Sequence, residues 1–192
     1  MNVLRFATLV FLLCVLSAIP AGAQQTVQLD RSEIRFVGKQ MNVPVEGKFR
    51  KFKAEVNFDF AKPELSRARI DIDLNSIDLG AAEGEAEVRR KVWFDMAAFP
   101  RAHFTSTAVK KLADGRFQVT GKLVIKGVSR DISVPFSVRQ DAGKLSIAEG
   151  VFQLLRLDYK IGEGVWADTE TVTNEVQVRF RIVFSGAQAV SH

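Results

Sequence analysis

From Lys51 to Phe60 the chain reads KFKAEVNFDF, in which Phe, Ala or Val alternates with a charged or polar residue at every step. Successive side chains of a strand point to opposite faces, so such a run buries one face and wets the other. The same period returns as far as the last strand, most cleanly in Val176, Val178, Phe180, Ile182 and Phe184 against Gln177, Arg179 and Arg181. A chain built of these runs must bring its greasy faces together, and long alternating strands with open edges invite aggregation. An antiparallel barrel or sandwich follows, with closure favoured.

The first residues do not share this rhythm. Arg5 precedes an apolar stretch from Phe6 to Ile19, and Ala21-Gly22-Ala23 offers a small-residue cleavage site before Gln24. These are the parts of a secretory signal peptide over residues 1–23, too short to span a bilayer as a helix, with residues 24–192 left as one domain. A periplasmic location is expected. The single cysteine, Cys14, falls inside the leader, so the exported chain has no disulfide framework; Leu12 and Leu13 before it do not fit a lipoprotein signal. Of 27 Lys and Arg, only Arg5 leaves with the leader, so 26 basic residues face 22 acidic ones. The excess is spread over Lys48, Arg50, Lys51, Lys53, Arg89, Arg90, Lys91, Arg179 and Arg181. No nucleic-acid partner is expected of an exported chain without stacking motifs. Transient contact with an anionic membrane surface and a homodimer are both compatible with this balance.

Between the leader and the last strand the pattern predicts about eight strands and one helical excursion. Ile34, Phe36 and Gly38 share a face within Val27–Lys39. Phe52, Ala54, Val56, Phe58 and Phe60 share the next, and Ala68, Ile70, Ile72 and Leu74 a third, after a turn at Pro63 and Ser66. From Ala82 to Val92 helix formers take over, acids first and bases last, which suits the macrodipole; Asp95 is placed to cap a further helical turn that Pro100 stops. Strand rhythm resumes at Phe104–Val109, then at Phe117–Ile125 after Asp114-Gly115, at Ile132–Val138, and at Leu145–Leu155 after Gly143. An outer-membrane barrel would need a lipid-facing exterior, and here that face carries Lys51, Lys53, Arg69, Asp71, Arg179 and Arg181. A midplane Arg or Lys there costs roughly 2–4 kcal/mol, so the expected barrel is soluble.

Chemistry-bearing residues are few. His192 ends the chain, which leaves His103 alone in a strand, pointing away from Phe104. Asp71 and Asp73 share a face, but alternation puts that face outward. No nucleophile elbow, phosphate loop or metal-ligand spacing is present, so no catalytic residue, metal or cofactor is predicted. Phe is abundant, 15 against one Tyr and two Trp, and supplies apolar volume without a polar handle. Such rings suit a filled core or the wall of an apolar cavity, and eight-stranded barrels do both.

Four segments, in order, resemble the YceI-like family of periplasmic polyisoprenoid-binding proteins: VEGKFRKFKAEVNFDFAKPELSRARIDIDLNSIDLG, VWFDMAAFPRAHFTST, VTGKLVIKGVSRDISVPFSV and EGVFQLLRLDYKIGEG. The likeness runs from about Val27 to Gly186. It implies an extended, lipocalin-like eight-stranded antiparallel barrel with an elongated apolar tunnel, and a non-catalytic carrier whose ligand is a long isoprenoid, the tail of a polyprenyl lipid or isoprenoid quinone. The chain departs from the family's pattern at Val88, Val92 and Trp93, and at Lys160. On this reading the inner wall is formed by Phe36, Phe52, Val56, Phe58, Ile70, Ile72, Leu74, Phe104, Phe117, Leu123, Phe136, Phe152, Val178, Phe180 and Ile182. Trp93, Phe94 and Phe99 form a helical cap, and Arg156 and Tyr159 meet a polar head. Phe58→Asp or Phe180→Asp is expected to abolish lipid retention. The rivals are an enzyme acting on such a lipid, and an interaction protein whose barrel is packed solid.

Overall fold

A computed structural model describes residues 25–141 and 145–185. The leader read over residues 1–23 and the turn at Gly143 lie outside them. Ten strand segments follow one another antiparallel: β1 Glu33–Gln40, β2 Val43–Phe49, β3 Phe52–Asn57, β4 Arg67–Asp73, β5 Ile77–Asp78, β6 Arg101–Lys111, β7 Phe117–Ile125, β8 Val128–Asp141, β9 Leu145–Leu155 and β10 Glu175–Ser185. One helix, α1, spans Ala82–Val88 between β5 and β6. All ten segments belong to one sheet in the order β3-β4-β6-β7-β8-β9-β10-β1-β2-β5.

The two ends of that order are the two halves of one ribbon. β2 runs into β3 through Arg50 and Lys51, and β4 runs into β5 through a 3-10 turn at Leu74–Ser76. Phe49 faces Ile77 and Phe52 faces Ile72, so the second arm carries two additional residues where the ribbon bends, as a bulge does. Hydrogen bonds from Arg50 N to Ser76 O (3.0 Å) and from Asp73 N to Lys51 O (3.1 Å) hold the arms together across the bend. β1 then pairs with β2 on one side and with β10 on the other. Counted this way the ten segments are eight strands of an up-and-down barrel, the architecture the alternation predicts.

Turn chemistry follows the sequence with exceptions. Lys126 and Gly127, the two residues between β7 and β8, have φ of 49° and 72°, the left-handed pair that matches strand twist in a two-residue hairpin. Val27 makes only an isolated bridge with Phe184, and a 3-10 turn at Leu29–Arg31 precedes β1, so the first strand starts later than its alternation predicts. The helix stops at Val88, four residues before the expected end. Asp95 caps no second helix: with φ at 50° it lies in the left-handed region, and its carbonyl accepts from Ala98 N and Phe99 N in a turn. No helix among the described residues is long and apolar enough to cross a membrane.

The interior divides along the barrel axis. One end is filled by Phe58, whose ring meets Phe60 and Phe117 edge-on at 4.9 Å and lies near Phe136 and Phe184. Gln25 closes this end from below, its side chain donating to Phe58 O (2.9 Å) and accepting from Phe58 N (2.8 Å). At the other end α1 and the loop between β9 and β10 lie over the opening.

Candidate functional site

Three strand glycines shape the lumen. Phe36 faces Gly47 across β1 and β2, and Phe180 faces Gly150 across β10 and β9. Phe104 lies over Gly121 of β7. A Cβ at Gly150 would stand 2.5 Å from Phe180 Cζ. With hydrogen in place of that Cβ, each ring lies flat along the wall instead of standing into the middle, and space opens above it.

Phe36 borders a wide chamber of ≈ 420 Å³. Phe104 and Phe180 border a narrower one of ≈ 150 Å³ deeper in the barrel. Ile34, Ile72, Leu123, Phe152 and Val178 border both chambers and so stand between them. The wide chamber falls within the roughly 300–1,000 Å³ usual for small-molecule sites. Its sides are Phe36, Phe49, Leu74, Ile77, Ile125 and Val176, and its lid is Gly84, Glu87 and Val88 of α1 with Trp93, Phe94 and Trp166. Lys39 and Gln40 from the β1–β2 hairpin reach its rim. The lidded half of the barrel is therefore not filled by side chains.

The lid is held by one side chain. Arg156, 2 % exposed, donates from Nε to Thr173 O (3.0 Å), from Nη1 to Ile161 O (2.9 Å) and Gly162 O (3.1 Å), and from Nη2 to Trp166 O (2.6 Å) and Val172 O (2.7 Å). All five N–H groups are used on backbone carbonyls. Burial pulls its pKa below the ordinary arginine value, against the partial support of Asp168. Its guanidinium carbon lies 5.9 Å from the Trp93 ring centre, and the Trp93 and Trp166 rings are 5.4 Å apart. Lys126 adds a second tie, its Nζ donating to Lys160 O and Glu163 Oε2, both at 2.7 Å. Glu163 is held below the usual carboxylate range chiefly by that bond.

Most of the residues expected to form the wall, cap and head site border a chamber. Phe36, Leu74, Trp93, Phe94 and Arg156 border the wide one; Val56, Phe58, Ile70, Phe104, Phe136, Phe180 and Ile182 the narrow one; Ile72, Leu123, Phe152 and Val178 both. Four residues border neither. Phe52 and Phe117 are inward but pack into the Phe58 cluster. Phe99 sits outside, over Gly127 of the β7–β8 hairpin, and is 37 % exposed. Tyr159 is buried among Ile125, Met96 and Ile161 behind the lid, and burial pushes its phenol up to about 12. The pairing of Arg156 and Tyr159 as head-binding groups therefore does not hold: one has no free donor and the other borders no chamber. Phe58 is part of the plug, so an Asp there would test folding before it tested binding. His103 lies on the outer face against Asp71, whose pKa is lowered first by Arg69 and then by His103. The alternation pointed to none of Phe49, Leu79, Glu87 and Trp166, which reach the wide chamber from the ribbon bend, the helix and a loop.

Residues 25–184 match the model of the YceI-like domain. The chain belongs to the YceI-like family. Among solved structures it is similar to BcnA of Burkholderia cenocepacia, at 41 % identity and a TM-score of 0.79 over 82 % of this chain and 99 % of that one. A polyisoprenoid-binding domain from Saccharophagus degradans shares the fold at 17 % identity and a TM-score of 0.67, over 85 % of this chain and 98 % of that one. A UPF0312 protein of Azotobacter vinelandii is 34 % identical over 88 residues, and Protein YceI of Salmonella arizonae equally so; each alignment covers 46 % of both chains. The match thus spans about half the length of these curated relatives. The positions read in the sequence as departures from the YceI-like pattern lie at the lid. Val88 and Trp93 border the wide chamber, Val92 O accepts from Gly162 N and Glu163 N, and Lys160 turns the chain there with a φ of 56°.

Proposed function

We propose that this YceI-like protein is a non-catalytic periplasmic carrier that sequesters a long-chain isoprenoid lipid, of the polyprenyl or isoprenoid-quinone type. The observation that carries the reading is the wide apolar chamber with the narrow one beyond it, closed at the far end by the Phe58 cluster and lidded at the near end. A site of this shape suits a hydrocarbon chain entering lengthwise. The similar Saccharophagus domain is named for polyisoprenoid binding, which supports the ligand class. Each buried methylene contributes about 0.8 kcal/mol, so a five-carbon isoprene unit contributes roughly 3–4. A many-unit tail would approach the practical ceiling of about 18–21 kcal/mol if wholly enclosed. Chamber length and lid chemistry, rather than raw affinity, then set selectivity.

The carrier loads from a bilayer at the lidded end. There the hairpin tip and the lid loop expose Met41 (73 %), Val43 (63 %) and Val165 (83 %), beside the basic Lys39 and Lys160. Apolar side chains ringed by cations suit an anionic lipid surface. The test is mass spectrometry of an organic extract of the protein purified from its native host. A stoichiometric isoprenoid is the expected result, and a clean extract would remove the carrier reading.

A further inference from the structure

Strands β8 and β9 separate half-way up the barrel wall. Their antiparallel register runs from Asp141 opposite Leu145 to Phe136 opposite Gly150 and stops there. Both strands continue toward the lid, β8 back to Val128 while paired with β7, and β9 on to Leu155 while paired with β10. Residues 128–135 and 151–155 therefore flank a slit with no ladder across it. Pro135, the first residue of β8 past the last pair, has no N–H with which to carry the ladder on. At the lid end the slit is bridged by long contacts from Arg130 Nε and Nη2 to Asp158 O, both 3.4 Å.

A groove on the outer face follows this slit, bordered by Ile132, Ser133 and Pro135 of β8 and by Val151, Phe152 and Gln153 of β9. Phe152 also borders both inner chambers, and Ile132 the narrow one. Phe152 thus stands between the surface and the interior, in a stretch of wall made of side chains instead of hydrogen-bonded backbone. Val151 and Leu155, 47 % and 39 % exposed, leave apolar surface along the outer edge of β9. Unpaired strand edges are ordinarily guarded by proline and charge, and β8 carries Pro135, Arg130 and Asp131 here. Behind this edge, however, lie apolar chambers.

We infer that the slit is a side portal: the isoprenoid chain passes into the chambers between β8 and β9, with Phe152 as the gate. The inference rests on the carrier reading and names the route which that reading leaves open. Lifting the lid would break five hydrogen bonds from Arg156 and two from Lys126. Opening the slit breaks no ladder bond and asks for the displacement of a half-buried ring. Its upper end, at Asp158, belongs to the same β9–β10 loop as Lys160 and Val165, so rim and slit form one entrance. Lipid gathered at the rim slides in sideways while the lid stays shut.

A linker across the slit tests this. Ser133→Cys with Gln153→Cys places two exposed thiols on its opposite sides, to be joined by a short bis-maleimide in full-length protein that also carries Cys14→Ser. Binding and release of geranylgeraniol are followed through the fluorescence of Trp93 and Trp166, which border the wide chamber. A gate is a barrier crossed in both directions, so the linker should slow both rates by about tenfold or more and leave the affinity unchanged. The same linker across a paired seam, Thr105→Cys with Lys122→Cys between β6 and β7, should change neither rate. Phe152→Leu keeps the wall apolar with a smaller gate and should quicken association severalfold, which lost contacts alone would not do. Unchanged rates with the slit bridged, equal slowing by the linker at the paired seam, or Phe152→Leu associating no faster than wild type each overturns the portal while leaving the carrier intact. If geranylgeraniol binds none of these proteins, wild type included, the carrier reading falls and takes the portal with it.

Discussion

Tyr159 is the chain's one tyrosine, and its hydroxyl is buried without a partner among the described residues. Burial is the first cause of its raised pKa, with Asp158 adding to it. Because the folded value, about 12, lies above the ordinary value of about 10, the folded state keeps the proton where the unfolded chain loses it. The stability this contributes is whole below pH 10 and is lost as pH rises toward 12. A tyrosinate absorbance titration reads this single group, and a midpoint near 10 in folded protein would contradict the burial. Tyr159→Phe should flatten that part of the pH profile and, by removing an unpaired hydroxyl, stabilise the fold at pH 7 by about 1 kcal/mol. Arg156 makes the opposite case. Arg156→Lys cannot reproduce a planar fork with five donors, so several of the carbonyls from Ile161 to Thr173 lose their partner. A loss of about 3 kcal/mol or more is expected, at 1.5–3 for each hydrogen bond to a charged group. Hydrogen exchange should quicken first between residues 161 and 173; a variant within 1 kcal/mol of wild type would deny Arg156 its place as the lid's anchor.

Among the elements, β9 and β10 show what alternation tells and what it withholds. Val178, Phe180 and Ile182 were legible as inward residues because a period of two has one inner face, and all three border a chamber. The same pattern placed Phe52 and Phe117 inward with equal force, yet both are packed into the plug. Periodicity sets the face of a side chain but not its height along the barrel or what stands opposite. The glycine partner supplies the missing term, since Phe180 lies flat only because Gly150 has no side chain. Gly150→Ala should push the ring into the narrow chamber at a cost of about 1–3 kcal/mol, the usual price of overpacking. Calorimetric stability and lipid content of the purified variant should fall together; a full lipid load would show that the narrow chamber does not depend on that ring. β2 was hard to read because VPVEGKF mixes a proline, a glycine and mostly exposed residues. The lid was harder still. Glu87 and Trp166 come from a helix end and a loop that share no period with the sheet, and Arg156 binds backbone carbonyls, which leave no trace in residue types.

At the scale of the whole molecule, the barrel is asymmetric: one end sealed by Phe58 and Gln25, the other lidded and edged with exposed apolar residues. On the carrier reading proposed above, the lidded end is the one to be presented to a membrane. Met41 is the clearest sign, a 73 % exposed side chain on a hairpin residue with φ at 50°. Glycine, asparagine or aspartate is the usual choice in that conformation, and a bulky residue there costs on the order of 1 kcal/mol. Neither its exposure nor its backbone favours Met for stability, and on the proposed reading the tip meets the lipid surface. Met41→Ser combined with Val165→Ser should leave equilibrium binding of a soluble isoprenoid alcohol unchanged, because neither side chain borders the chambers. Uptake from anionic vesicles should slow by about tenfold or more, as expected if each side chain contributes roughly half of a full apolar burial of 1.5–3 kcal/mol at the lipid surface. Added salt should slow wild-type uptake as well by screening the basic rim, whose reach at physiological ionic strength is only about 8 Å. If the double variant loads from vesicles at the wild-type rate, lipid enters somewhere other than this rim, and the sealed end would then have to open.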